Sequence, residues 1–172
     1  KDAQFAATRA GLDTLFDRAW AAAREDLDQG RAAPREFVTG NNDADGAWLL
    51  HWLARREPAL HARFAAALRH RLEDWGGNAS GLHVGNIDNL GEVHPDTMWW
   101  HHRLGNVRER PFSALWNDLG DPLMAGLKSQ PRPVGGRCAD CAHLEICGGN
   151  TRVRADQTTG DPWAEDPGCY LE

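Results

Sequence analysis

Cys138, Cys141, Cys147 and Cys169 are the residues of this chain whose type and spacing point most directly to chemistry. Cys138-Ala139-Asp140-Cys141 sets two thiolates one tight turn apart, Cys147 follows shortly after, and Cys169 returns from the end of the chain. Four thiolates suit either a tetrahedral zinc ion or a cubane of iron and sulfide. Zinc ribbons usually pair two C-x-x-C knuckles. Here one C-x-x-C is followed by two single ligands at unequal distances, which favours a [4Fe–4S] cluster over zinc. Inert buried thiols are the bland alternative, but three cysteines crowded between positions 138 and 147 argue against it. Gly148 and Gly149 would let backbone N–H groups approach the cluster's sulfides and tune its potential. With four cysteine ligands no iron is left open, so such a cluster serves structure, electron transfer or tuning of its surroundings.

The elements that must position these thiols divide the chain in two. From Phe5 to Leu27 apolar residues recur at three- and four-residue steps, which predicts an amphipathic helix ending near Gly30. Phe37-Val38-Thr39, cut off by Gly40-Asn41-Asn42-Asp43, reads as a buried strand entering a polar turn. Asp43 or Asp45 can cap a helix carrying Trp48, Leu49, Trp52 and Leu53, and a further helix runs from about Ala59 to Trp75. Helix, strand, polar loop, helix is α/β grammar. At residues 76–81 the composition turns to Gly, Asn, His, Pro and Trp, which marks a boundary between residues 1–75 and 76–172. Residues 82–88 and 92–94, flanking Asn89-Leu90-Gly91, predict a β-hairpin. Short helices are expected at 110–116 and 122–127, and little regular structure elsewhere, so the second part reads as a small irregular α+β unit. Metal binding would then supply part of its folding energy.

The bulk composition narrows the partners. With 172 residues and 41% hydrophobic content the chain can bury a core. A net charge of −6 and the lack of any Lys/Arg cluster argue against a nucleic-acid surface. No apolar run approaches the ~20 residues of a membrane span, and no leader-like segment opens the chain, so a soluble, unexported protein is expected; cysteines crowded together rather than spread as a disulfide framework make the cytoplasm the expected compartment. The first residue is not Met, which suggests part of a longer polypeptide.

The order Gly91-Glu92-Val93-His94-Pro95-Asp96, then Leu104-Gly105-Asn106-Val107-Arg108-Glu109-Arg110-Pro111-Phe112 with Trp116, then the cysteine run, resembles the SPASM-type region that follows the barrel in many radical S-adenosylmethionine enzymes. Within that superfamily, residues 38–46, 75–81, 94–102 and 160–167 look like the radical enzymes of haem d1 biosynthesis, and the likeness covers nearly the whole chain. It implies the last strand and helices of a partial (β/α) barrel followed by a SPASM-like domain with an auxiliary [4Fe–4S] cluster on Cys138, Cys141, Cys147 and Cys169. It also implies S-adenosylmethionine and a second [4Fe–4S] cluster in the full-length enzyme, an electron-donor protein, and a tetrapyrrole substrate, 12,18-didecarboxysirohaem, that loses two propionates. SPASM regions commonly carry more cysteines, enough for two auxiliary clusters, with one after the hairpin proline. Asp96 stands at that place here, so one auxiliary cluster is expected. No C-x-x-x-C-x-x-C occurs, so this chain alone is expected to be inactive. Related readings are a radical haem-synthesis decarboxylase, a peptide-modifying SPASM enzyme, or a non-catalytic iron–sulfur or zinc module.

The resemblance makes further residues candidates for substrate contact. Asn41, Asn42, Asp43 and Asp45 follow the expected barrel strand, where ligands sit. They equally suit an Asx-rich turn and helix cap. Met98-Trp99-Trp100-His101-His102 offers stacking surface and imidazoles to a porphyrin-like ring, or simple packing against the hairpin. His101 and His102 are read as substrate-proximal. Arg103, with Arg108 and Arg110, could pair with substrate carboxylates. Residues 161–167 read as a rigid turn delivering Cys169.

Overall fold

The computed structural model describes residues 1–32, 35, 37–40 and 42–171. Helix α1 spans Asp2–Asp28, α2 Ala44–Arg56 and α3 Pro58–Trp75. On α1 and α2 the apolar face is the one the sequence predicts: Phe16, Trp52 and Leu53 are buried together with Trp20 against them, and α3 adds Leu60 and Leu68. Trp48 Nε1 donates to Asp13 and Trp52 Nε1 to Asp17, each at 2.9 Å. These two bonds climb both helices together, one turn per step, so α1 and α2 run in the same direction. Between them Arg35 bonds back to Ala22, Glu25 and Asp26 of α1. Pro58 sits in the first turn of α3, where its missing N–H costs nothing.

The segment between α1 and α2 differs from the sequence expectation. Residues 37–39 are not a strand and not buried; Phe37 is 46% and Val38 86% exposed. A strand needs neighbours for its N–H and C=O groups, and every strand among the described residues lies beyond position 85. Those are β1 Asn86–Ile87, β2 Glu92–His94 and β3 Gly105–Asn106, antiparallel in the order β1-β2-β3. The predicted hairpin is β1–β2, with Asn86 opposite His94 and Ile87 opposite Val93, but its first strand is confined to Asn86–Ile87 because residues 81–83 form turns instead of the strand expected over 82–88. Asp88 closes its turn by accepting from the N–H groups of Leu90 and Glu92. The architecture of the described residues is thus a small, mostly helical α/β arrangement with one open three-stranded sheet.

Helices α4, Phe112–Trp116, and α5, Pro122–Lys128, fall close to the predicted places. Asp121 caps α5 by accepting from Met124 N–H at 2.9 Å. A second core forms where Trp99 meets Leu123, Met124, Leu127 and Val153. Besides β3, helices α6, Leu144–Cys147, and α7, Arg152–Thr159, exceed expectation. A third core holds Ala44, Ala47, Tyr170 and Leu171, with Phe5 and Cys169 packed on it. Tyr170 and Leu171 therefore lie against α1 and α2.

Candidate metal centre

Each cysteine sits at the end of a short turn rather than inside a long element. Gly136–Cys138 form a 3-10 turn; Cys141 N–H donates to the Cys138 carbonyl, and Leu144 N–H to that of Cys141. Cys147 ends α6, and Gly148, Gly149 and Asn150 follow at φ of 58°, 79° and 60°. Three successive left-handed residues turn the chain sharply away, which an L-residue with a bulky side chain resists. Asn150 tolerates it because its short amide finds partners on all sides. Its side chain accepts from Asp43 N–H at 2.9 Å, donates to Asn42 at 2.8 Å and donates to Asp166 at 2.5 Å.

Cys147 is clamped from the other side by the end of α3. Gly77 has φ +66°, and a Cβ there would lie 2.3 Å from the Cys147 carbonyl carbon. The Cys147 carbonyl accepts from both Asn78 N–H and Asn150 N–H. Cys169 is delivered by the turn around the fully buried Asp166, whose carboxylate takes Arg154 at 2.7 and 2.5 Å. Tyr170 then anchors the segment, its hydroxyl donating to buried Asp45 and its carbonyl accepting from Arg9 at 2.9 Å.

All four thiols are free. Burial pushes the Cys147 thiol up to about 12, an N–H of Gly149 works against that, and the thiols of Cys141, Cys169 and Cys138 add to it. Cys169 is also raised by burial and by Cys138, while the Leu171 N–H favours its thiolate. His143 N–H reaches Cys141 Sγ at 3.5 Å. So Cys147 feels the other three thiols and Cys169 feels Cys138, while Gly149, Leu171 and His143 bring main-chain N–H groups to Cys147, Cys169 and Cys141. Among the described residues no group of three or more His, Cys, Asp or Glu is gathered tightly enough to hold one metal ion. The donor chemistry fits a four-thiolate centre: deprotonating a desolvated thiol needs a cation to bind it, and main-chain N–H groups already point at the sulfurs. The spacing is not that of a closed single-ion site, whose ~2.3 Å Zn–S bonds draw the sulfurs close together.

The Asx residues meet this region directly, apart from Asn41, which lies outside the described residues. Asn42 accepts from Ala44 N–H at the start of α2, the capping role expected of Asp43 or Asp45. Asp43 is half-buried, and its carboxyl is raised by desolvation, with the Asn78 side chain and Arg132 opposing. Asn42, Asp43 and Asp45 line a cleft of about 470 Å³ whose other wall holds Gly77 and Ile146, the neighbours of Cys147. The histidines are held elsewhere. His101 pairs with Asp156 at 3.1 Å and His102 with Asp121 at 2.9 Å. Trp99 is buried beside them, Trp100 is exposed, and Arg103 reaches Glu92 only at 3.9 Å. The structure therefore joins Asn42, Asp43 and Asp45 to the cysteines through Asn150 and Tyr170, and anchors His101 and His102 on α7 and the cap of α5. Sequence reasoning passed over Asn150 and Tyr170, and placed Asp166 in the turn that delivers Cys169 without its buried bonds. A polar residue straight after Gly-Gly was the available signal for the first.

Among the described residues no helix is long and apolar enough to cross a membrane. Three relatives are similar to this chain. Pre-heme d1 synthase of Dinoroseobacter shibae is 53% identical over 99% of the chain and 40% of the relative. Fe-coproporphyrin III synthase of Methanosarcina barkeri is 44% identical over 80% of the chain and 34% of the relative. An AdoMet-dependent heme synthase of the same organism is 35% identical over 38% of the chain and 18% of the relative. The chain thus spans well under half the length of the curated relatives it matches. No family model and no solved structure matches it.

Proposed function

We propose, for a chain that homology places in the radical enzyme family of pre-heme d1 synthase, that it carries the auxiliary [4Fe–4S] cluster of a haem d1 biosynthesis enzyme. Cys138, Cys141, Cys147 and Cys169 are its ligands in this reading. The single observation that carries it is four free thiols, one of them deeply desolvated and acted on by the other three, with separate main-chain N–H groups at Cys141, Cys147 and Cys169. When bound, the cluster would supply a centre that orients substrate or accepts an electron.

The chain's own residues would then do three things. Gly77 and Asn150 fix the backbone of Cys147, Asp166 and Tyr170 fix that of Cys169, and the cleft beside Asn42, Asp43 and Asp45 receives part of the substrate. The partial-barrel assignment of residues 1–75 and the SPASM-like assignment of 76–172 belong to the same proposal. The parallel α1 and α2 support the first, since neighbouring helices of a (β/α) barrel run parallel. His101, His102 and Arg103 would face the tetrapyrrole from the hairpin side. The substrate is a didecarboxylated sirohaem that loses propionates, with S-adenosylmethionine, a second cluster and an electron-donor protein acting in the full-length, cytoplasmic enzyme.

Anaerobic purification of the full-length protein, with iron and sulfide analysis and an absorption spectrum before and after adding the tetrapyrrole, tests the reading. Iron and sulfide that fall when Cys138 and Cys169 are replaced by alanine, and a spectrum that shifts with substrate, are expected. One zinc bound in place of iron and sulfide at these cysteines would sink it.

A further inference from the structure

Two guanidinium groups lie inside the cysteine region: Arg132 is 3% exposed and Arg152 0%. A buried cation normally rests on a carboxylate, because an uncompensated charge in the interior is costly. These two rest on neutral oxygens. Arg132 donates to the carbonyls of Asn78, Ser80, Leu127 and Gly148 and to the Asn78 side-chain oxygen. Arg152 donates through its terminal nitrogens to the carbonyls of Gly149, Pro162 and Ala164. Its Nε is buried with no hydrogen-bond partner, lying against Gly149, two residues beyond Cys147.

The nearby carboxylate is already engaged, since Asp166 is taken by Arg154 and Asn150. Among the acidic groups acting on Arg152, Cys138 comes first, ahead of Asp166 and Cys147. Arg132 is acted on by Asp43 and then by Cys147. The two guanidiniums also repel each other. With neutral thiols this is an expensive arrangement. With four thiolates on an iron–sulfur core, the same charges are counter-ions.

We infer that Arg152, seconded by Arg132, is a positioning residue that sets the reduction potential of the bound cluster: a fixed buried cation packed against Gly149, two residues beyond Cys147, that stabilises the one-electron-reduced, more negative form. The inference rests on the cluster reading above. Reduction adds one electron from the donor to the cluster and breaks no bond, and the positive charge that favours it is already in place.

The test is a potentiometric titration of the reconstituted full-length protein with dithionite, followed by EPR. The relevant signal is the one that Cys138→Ala abolishes; if no signal depends on Cys138, the cluster reading fails rather than this one. Arg152→Gln should lower the equilibrium constant for reduction about tenfold, a midpoint about 59 mV more negative for a one-electron couple, while Arg152→Lys keeps most of the wild-type potential. A normal signal at unchanged potential in Arg152→Gln overturns the inference, as does a Lys variant shifted as far as the Gln variant, which would make Arg152 a hydrogen-bonded strut. Should Arg152→Gln lose its iron, Arg132→Gln is read instead: a smaller shift in the same direction supports the inference and an unchanged potential overturns it.

Discussion

The Tyr170 hydroxyl donates to the Asp45 carboxylate, joining the residue after the last cysteine to the first turn of α2 across 125 positions of sequence. Both side chains are buried, at 1% and 8% exposure. Burial first, and then the hydrogen bond and charge of Asp45, raise the Tyr170 phenol well above its ordinary value, so it stays a donor at any physiological pH. Tyr170→Phe removes the donor while keeping the ring in its apolar pocket. A buried carboxylate that loses its partner costs about 1–3 kcal/mol, so the urea midpoint should fall accordingly. Cys169 sits next door, so bound iron should be held less tightly. A variant as stable as the parent would show that water already satisfies Asp45.

Gly77 should be the least replaceable glycine near the centre. Two costs meet there: a left-handed backbone, worth roughly 1–2 kcal/mol to an L-residue, and a Cβ 2.3 Å from the carbonyl carbon of Cys147. Main chain cannot swing aside as a side chain can. Gly30 separates the two costs, because its φ is +62° but nothing lies within 4 Å of a Cβ built on it. Gly77→Ala should destabilise by more than Gly30→Ala in chemical denaturation, and it alone should lower iron retention. Equal losses in the two variants would mean that the contact with Cys147 carries no weight.

Asn150 holds three partners from a backbone at φ 60°. Asn150→Gly keeps the backbone free to adopt that conformation and loses the partners; Asn150→Ala loses both. The glycine variant should be destabilised by about 1–3 kcal/mol and the alanine variant by roughly 1 kcal/mol more. If the two melt together, the left-handed backbone costs nothing here; if the glycine variant matches the parent, the three hydrogen bonds are dispensable.

What could be read from the sequence was what periodicity and turn chemistry carry. Helices α1, α2 and α3 follow from Phe16, Trp52 and Leu53 recurring on one face and from Pro58 and Gly76 at their limits. The hairpin follows from Asn89-Leu90-Gly91 between two strand-like stretches, and the part Asp88 plays in closing its turn emerges only in the fold. The cysteines identify themselves by spacing. Residues 37–39 misled because three apolar residues before a polar turn look the same whether neighbouring strands cover them or leave Val38 exposed. The buried polar web was invisible for a different reason. Arg152, Asn150 and Asp166 have the composition of a solvated surface, and only long-range folding makes them interior. Asp45 looked like a cap or a ligand contact, and its bond to Tyr170 spans a separation that no local pattern encodes.

Acid should loosen the packing of α6 on α2. His51 and His143 face each other Nε2 to Nε2 at 3.1 Å, a bond that requires one ring to accept and therefore to be neutral. Burial first, then Arg55 and Arg69, lowers His51; burial, then His51 and Arg69, lowers His143. Folded values below the unfolded ones mean that the unfolded chain binds protons more readily, so stability falls as pH falls. The contribution is fully present above the ordinary value of 6.5 and is lost as pH drops through it toward the folded values. Urea midpoints measured from about pH 7.5 down to about pH 5.5 should decline, and His51→Phe should flatten the decline by removing one titrating ring and the need for the other to stay neutral. An equally steep decline in that variant would place the acid sensitivity elsewhere, leaving the two imidazoles as ordinary surface neighbours.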